Sequence, residues 1–235
     1  MEPTHIDRLR TTPAYPFLEA AHYVAVPITT LRSWCVGQVY SYRGEKRSFA
    51  PLIRVDGSRA EGLSFLNLVE AHVLAAIRRV HGVSMPRVRA ALAYVMTRLE
   101  VDRPLIDTRF QTDGVNLFVD ELDQIVNVSR EGQLEMASMI RMHLARIERD
   151  LRGVPVKLYP FTCQHVAVEA PSPVEIDPSV AFGRPVLRGR AVPTAVLADR
   201  FKAGDTLREL ADDYEVSIGT VEEAIRCELD RRQAA

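Results

Sequence analysis

A thirteen-residue pattern occurs twice in this 235-residue chain, 190 positions apart, and restricts the fold more than any other feature of the sequence. Glu19-Ala20-Ala21-His22-Tyr23-Val24-Ala25-Val26-Pro27-Ile28-Thr29-Thr30-Leu31 lies over Glu209-Leu210-Ala211-Asp212-Asp213-Tyr214-Glu215-Val216-Ser217-Ile218-Gly219-Thr220-Val221. Glutamate, alanine, valine, isoleucine and threonine recur at identical offsets, with an aliphatic exchange at the last position. The small alanine permits one helix to cross closely over the next, and the valine plugs the turn between them. Such a pair is a helix-turn-helix scaffold, present near both ends of the chain.

The copies differ in charge. The second helix of the first copy presents Thr29, Thr30, Arg32 and Ser33, all able to donate hydrogen bonds to phosphates or base edges. The second copy has Glu222 and Glu223 where Arg32 and Ser33 stand. Duplex DNA carries a phosphate charge for about every 1.7 Å of its axis, so paired carboxylates on that face oppose binding. The wider sequence repeats the contrast beneath a net charge of only -1. Residues 1–60 hold Arg8, Arg10, Arg32, Arg43, Lys46, Arg47, Arg54 and Arg59 against Glu2, Asp7, Glu19, Glu45 and Asp56. Residues 199–230 are dominated by acids, among them Asp205, Asp212, Asp213, Glu215, Glu222 and Glu223. A basic head and an acidic tail point to two partners: DNA for the first copy, a protein for the second.

The stretches between the copies predict a mainly α fold with short β-hairpins. Residues 1–62 read as a winged helix-turn-helix, with Val36–Tyr42 and Phe49–Val55 as the wing strands and Arg43, Lys46 and Arg47 in the loop between them. Residues 63–152 read as a central helical, dimerising region. Ser64 caps a helix carrying Phe65, Leu68, Val69, Leu74 and Ile77 inward, and Ser84 caps a second carrying Val88, Ala91, Leu92, Val95 and Leu99. Asp113-Gly114 predicts a hairpin near 108–119, and a long helix follows at about 133–151. Arg78, Arg79, Arg87 and Arg89 either add phosphate contacts or form solvated helix faces. The proline-punctuated residues 153–178 read as linker and strand. Residues 179–235 read as a small three-helix, helix-turn-helix-like domain, opened by the capping box of Thr206 and Glu209 and by Ser217.

Other classes find little support. The composition, 47% hydrophobic and 26% charged, is that of a globular protein. The longest apolar runs fall short of a membrane span, and the first residues lack a signal-peptide core, so a cytoplasmic protein is expected. Cys35, Cys163 and Cys227 are scattered, as reduced thiols are. There is no Cys-x-x-Cys, His-Glu-x-x-His or phosphate-binding Gly-Lys loop, and His5, His22, His72, His81, His143 and His165 stand apart from acidic clusters. Neither catalytic residues nor a metal or cofactor are expected.

Residues 15–34, through Glu19-Ala20-Ala21 and Thr30-Leu31-Arg32-x-Trp34, resemble the helix-turn-helix of MerR-like regulators, with Pro27 in place of the usual serine. Pro178–Arg226 is more specific. Its Gly183-Arg-Pro-Val-Leu-Arg-Gly-Arg-Ala-Val-Pro193, Ala203-Gly204, Leu210-Ala211-Asp-Asp-Tyr214 and Val221-Glu-Glu-Ala224 resemble a domain of unassigned function that recurs in VapB-type antitoxins, encoded beside PIN-like ribonuclease toxins. The resemblance implies a homodimeric antitoxin that binds its toxin and represses its own operon. It also implies that an arginine from Arg184, Arg188 or Arg190 enters the toxin's acidic centre. The family's C-terminal domain is itself called helix-turn-helix, so the assignment of Glu222 and Glu223 to toxin contact rests on their charge. A ligand-sensing MerR-like regulator without a toxin, and an adaptor without a DNA role, are the alternatives.

Overall fold

The computed structural model describes residues 4–42, 45–55, 62–79, 84–126, 129–161 and 172–229. Helix α1 (His5–Thr11) starts at a capping box in which Asp7 N–H donates to Thr4 Oγ1 and the Asp7 carboxylate accepts from Thr4 N–H. Helices α2 (Phe17–Tyr23) and α3 (Ile28–Val36) form the first helix-turn-helix, with Ala20, Ala21, Leu31 and Trp34 in the core.

The wing is present, shifted from its expected place. Strands β1 (Gln38–Tyr42) and β2 (Glu45–Phe49) pair antiparallel, Gln38 opposite Phe49 and Tyr42 opposite Glu45. Lys46 and Arg47 therefore lie in a strand instead of the loop, and the second strand ends where the sequence pattern had it begin. Two packing demands explain this. Gly37 has φ of 83°, and a Cβ there would sit 2.4 Å from the Phe49 carbonyl oxygen, so the chain can turn tightly into β1. Pro51 then interrupts the ladder, and Leu52 and Ile53 both donate to the Trp34 carbonyl, at 2.7 and 3.0 Å, while Ile53 enters the core.

Helix α4 (Phe65–Arg79) is the axis of the molecule, buried on every side from Phe65 to Ile77. Its start is closed by reciprocal bonds: Asn67 N–H to Ser64 Oγ and Ser64 N–H to Asn67 Oδ1. Helix α5 (Met85–Leu99) follows and ends at left-handed Glu100. Ser84 precedes it without a side-chain capping bond.

The hairpin expected around Asp113-Gly114 is not formed. Phe110–Gly114 is a π-helical turn that runs into α6 (Val115–Val126). The decisive pattern is Val115, Phe118, Val119 and Leu122, spaced as one helical face and buried, and it outweighs a two-residue turn signal. Gly114 serves packing instead, since a Cβ would lie 2.8 Å from the Phe110 ring.

Helix α7 (Arg130–Leu144) is capped by Ser129 and ends seven residues earlier than the expected 151, where β3 (Ile147–Arg149) turns back onto β4 (Pro155–Leu158). A central hairpin thus exists, but after the helices. Leu158 then exchanges backbone bonds with Ile176, and β5 (Val174–Glu175) pairs with β6 (Val186–Leu187).

Helices α8 (Thr194–Ala203), α9 (Leu207–Asp213) and α10 (Ile218–Glu228) complete the chain. One hydrophobic core joins residues from Tyr15 to Ile176, and a second is built from Val174, Leu187, Leu197, Leu210, Val221 and Ile225 with their neighbours. The molecule is mainly helical with short antiparallel strand pairs, as the sequence pattern predicts.

Candidate nucleic-acid interface

The repeated pattern folds twice into the same turn. Ala25 and Glu215, 190 positions apart, both adopt left-handed backbone, with φ of 54° and 50°. Val26 N–H donates to Ala21 O and Val216 N–H to Ala211 O, each at 3.0 Å. Ala21 and Ala211 are buried at the helix crossing, as are Leu31 and Val221 one turn into the second helix. The copies part at their caps. Ser217 Oγ accepts from Thr220 N–H, whereas Pro27 offers no side-chain cap to α3. Glu209 closes the capping box with Thr206, while the equivalent Glu19 follows Pro16, has no such partner, and pairs with Arg184 instead.

The outer face of α3 is open. Thr29 and Arg32 are exposed, Thr30 and Ser33 half-buried, and Ser33 Oγ donates to the Thr30 carbonyl at 2.8 Å. The Arg32 guanidinium lies 5.8 Å from the Phe17 ring centroid and, among the described residues, forms no ion pair. It is supported by an aromatic face while its charge stays available. With Phe17 and Gln38 these residues line a shallow surface groove of ≈ 730 Å³ where α3 meets the wing. Lys46 is exposed on β2 opposite Ser41, and Arg47 sits opposite Tyr40 in the ladder. Arg43 lies outside the described residues.

Of the central arginines, two are exposed, as both readings of the sequence allow, and two are bonded within the molecule. Arg78 and Arg87 are exposed. Arg79 donates to His143 Nε2 at 3.2 Å, and Arg89 bonds the Ala50 carbonyl with its guanidinium 5.3 Å from the Phe49 ring centroid. Arg89 therefore ties the wing to α5. Beside it opens a cleft of ≈ 710 Å³, apolar at Leu92, Met96 and Leu105 and polar at Arg89 and the Glu70–Arg103 pair. Arg103 grips both carboxylate oxygens of Glu70, at 3.0 and 2.6 Å.

Sequence spacing gave no sign of one polar cluster. His72 Nε2–H donates to the His143 carbonyl at 3.1 Å, and His143 Nδ1–H donates to Met139 O at 3.0 Å. Both imidazole rings pack on Phe161, over which the Arg146 guanidinium stands at 4.4 Å. Burial, with the positive charge of Arg79, lowers the His143 pKa to about 4, and burial likewise holds His72 well below its ordinary value. The histidines are 71 positions apart, so only the packing of α4 on α7 reveals them. Among the described residues no group of three His, Cys, Asp or Glu side chains is placed to hold a metal.

The C-terminal helices dock on the back of the first copy. His22 Nε2–H donates to the Cys227 carbonyl at 2.5 Å, Arg184 pairs with Glu19, and Gly183 packs so closely that a Cβ would lie 2.4 Å from the Tyr15 hydroxyl. All three contacts use α2 or Tyr15, two residues before it, and none uses the α3 face.

The remaining arginines surround the turn after β6, where Gly189 has φ of 73°. Arg188 is exposed and stands 4.7 Å over the Tyr159 ring. Arg190 donates to the Glu215 carboxylate and carbonyl at 3.2 and 2.9 Å. On α10, Glu223 pairs with Arg226 at 3.1 Å and Glu222 is half-buried. The structure thus brings Arg188 and Arg190 to one turn but engages Arg184 elsewhere. No helix among the described residues is long and apolar enough to cross a membrane.

Comparison with known proteins follows the same division. Residues 13–92 match a family model described as "Putative DNA-binding HTH domain", and residues 174–226 match one described as "Protein of unknown function (DUF433)". The chain is 28% identical over 234 residues to a Mycobacterium tuberculosis protein named "Putative antitoxin VapB45", covering 91% of this chain and 92% of that one. It is 25% identical over 218 residues to the uncharacterized protein Rv2308 of the same organism, covering 90% and 88%. The crystal structure of Rv2018 from Mycobacterium tuberculosis shares the fold, with a TM-score of 0.68 at 23% identity over 91% of this chain and 98% of that one. The resemblance to VapB-type antitoxins seen in Pro178–Arg226 therefore extends along nearly the whole chain.

Proposed function

We propose that this protein is the antitoxin of a type II toxin–antitoxin pair, binding a PIN-like ribonuclease through its C-terminal helices and repressing its own operon through α3 and the wing. The observation that carries the reading is the contrast between two superposable helix-turn-helix units. The first leaves Thr29 and Arg32 exposed along a groove that Thr30 and Ser33 also line; the second carries Glu222 and Glu223 at the positions matched to Arg32 and Ser33. Similarity to a protein named an antitoxin supports the toxin partner. A palindromic operator requires a two-fold reader, so the DNA-bound form is a homodimer.

In this reading α3 enters the major groove, and Arg32, Arg43, Lys46 and Arg47 neutralise phosphates. A PIN-like nuclease holds its metal with carboxylates, which a planar guanidinium can bind in pairs. Arg188, at an exposed turn, suits that role, while Arg190 would first have to leave Glu215 and Arg184 would have to leave Glu19. The test is growth of cells expressing the nuclease encoded beside this gene. Co-expression of the wild-type chain restores growth, and an Arg188→Ala, Arg190→Ala variant restores it poorly while still shifting promoter DNA. Equal rescue by both chains places neutralisation on another surface; no rescue by the wild type removes the antitoxin reading.

The cleft beside Arg89 favours a second reading, a ligand-sensing regulator, because it adjoins the wing and combines apolar walls with an ion pair. Promoter binding that changes with a small molecule, in a chain that rescues no nuclease, supports that alternative.

A further inference from the structure

Phe182 is 94% exposed, and its backbone is held left-handed, with φ of 55° and ψ of 32°. It does not stand alone there: Ala181 has φ of 46° and Gly183 has φ of 76°, so three consecutive residues occupy a region that side chains with a Cβ rarely adopt. The strain is imposed from below. Gly183 is pressed against the buried Tyr15 hydroxyl, and Val186 and Leu187, just beyond, are fully buried. A glycine or asparagine at position 182 would satisfy the same backbone without penalty. Within this chain the benzyl group is nearly all in solvent, and burial offsets little of that cost.

Strained backbone of this kind collects at binding sites, where the surroundings hold an unfavourable conformation for a use made elsewhere. A preorganised aromatic is the type of residue that dominates protein–protein interfaces. The sequence that follows it constrains the partner. Arg184, two residues later, is held by Glu19, whereas Arg188, six residues later, is exposed and stands over Tyr159. An aromatic knob followed in the chain by an exposed arginine fits a surface with an apolar pocket rimmed by carboxylates.

We propose that Phe182 is the anchor by which the C-terminal domain grips its partner protein, inserting into an apolar pocket beside the acidic centre of the nuclease. This rests on the antitoxin reading and adds to it the residue that anchors the contact.

Calorimetric titration of the full-length chain with the purified product of the adjoining reading frame tests it, using wild type, Phe182→Ala and Phe182→Asn. Both variants should bind at least tenfold more weakly, and Phe182→Asn should melt no lower than wild type because asparagine tolerates the left-handed backbone. Undiminished affinity, a lowered melting temperature for Phe182→Asn, or a parallel loss of promoter binding would each overturn the assignment. So would a change in self-association by sedimentation with partner affinity unaltered, since Phe182 would then join two copies of this chain. If the wild-type chain itself shows no binding, the antitoxin reading fails and the anchor with it; if the wild type binds and the variants bind equally, only the anchor fails.

Discussion

Glu19 and Glu209 show how one residue type at one offset acquires two tasks. The carboxylate completes a capping box where threonine precedes it, and reaches across to Arg184 where proline does. The sequence displays the repeat but not this divergence, because Arg184 is distant in the chain. The same holds for Tyr15, His22 and Gly183, none of which stands out by spacing, yet together they seat the C-terminal helices on α2. Gly183→Ala should therefore be costly. The added methyl would meet the Tyr15 hydroxyl in a backbone that disfavours any Cβ, a penalty on the order of 1–3 kcal/mol. A melting temperature several degrees below wild type, with promoter affinity little changed, is the expected outcome of thermal denaturation and gel shift.

Among the elements, those announced by long apolar periodicity were legible: α4, α5 and the two helix-turn-helix units follow the pattern of their buried residues. The errors arose where a short local signal competed with packing. Asp113-Gly114 lost to the Val115–Leu122 stripe, and the second wing strand moved because Leu52 and Ile53 bond to α3. The pairing of α4 with α7 was not legible at all, and it creates the His72–His143 cluster. There both nitrogens of His143 are engaged in the neutral form, one donating to Met139 O and one accepting from Arg79. In the unfolded chain a histidine takes up a proton near pH 6.5, while folded His143 resists until about pH 4. Its contribution is complete above about pH 6.5 and is lost as the pH falls from there towards 4, by a few kcal/mol at most. Denaturant titrations at pH 7.5 and 4.5 should show that loss, and a His143→Gln variant should show a shallower one. Equal pH dependence in the two proteins would assign the effect to other groups.

At the scale of the whole molecule, two cores share one chain, and the second docks against α2 so that the α3 face is left clear. This arrangement permits one end to hold DNA while the other holds a protein, and it leaves the two helix-turn-helix faces chemically distinct. The internal repeat and the charge asymmetry were enough to suggest that division. They could not show the docking, which depends on contacts between residues roughly 200 positions apart, such as His22 and Cys227.

If the first copy reads DNA and the second does not, a charge exchange at matched positions must affect the two copies differently. Arg32 and Glu222 occupy the same place in the two units. Gel-shift titration of the protein's own promoter over a salt series, with wild type, Arg32→Glu and Glu222→Arg, separates their roles. Arg32→Glu should abolish the shift with the fold intact by circular dichroism, and Glu222→Arg should bind at least as tightly as wild type. Promoter binding that survives Arg32→Glu with an unaltered salt slope would contradict DNA reading by the first copy.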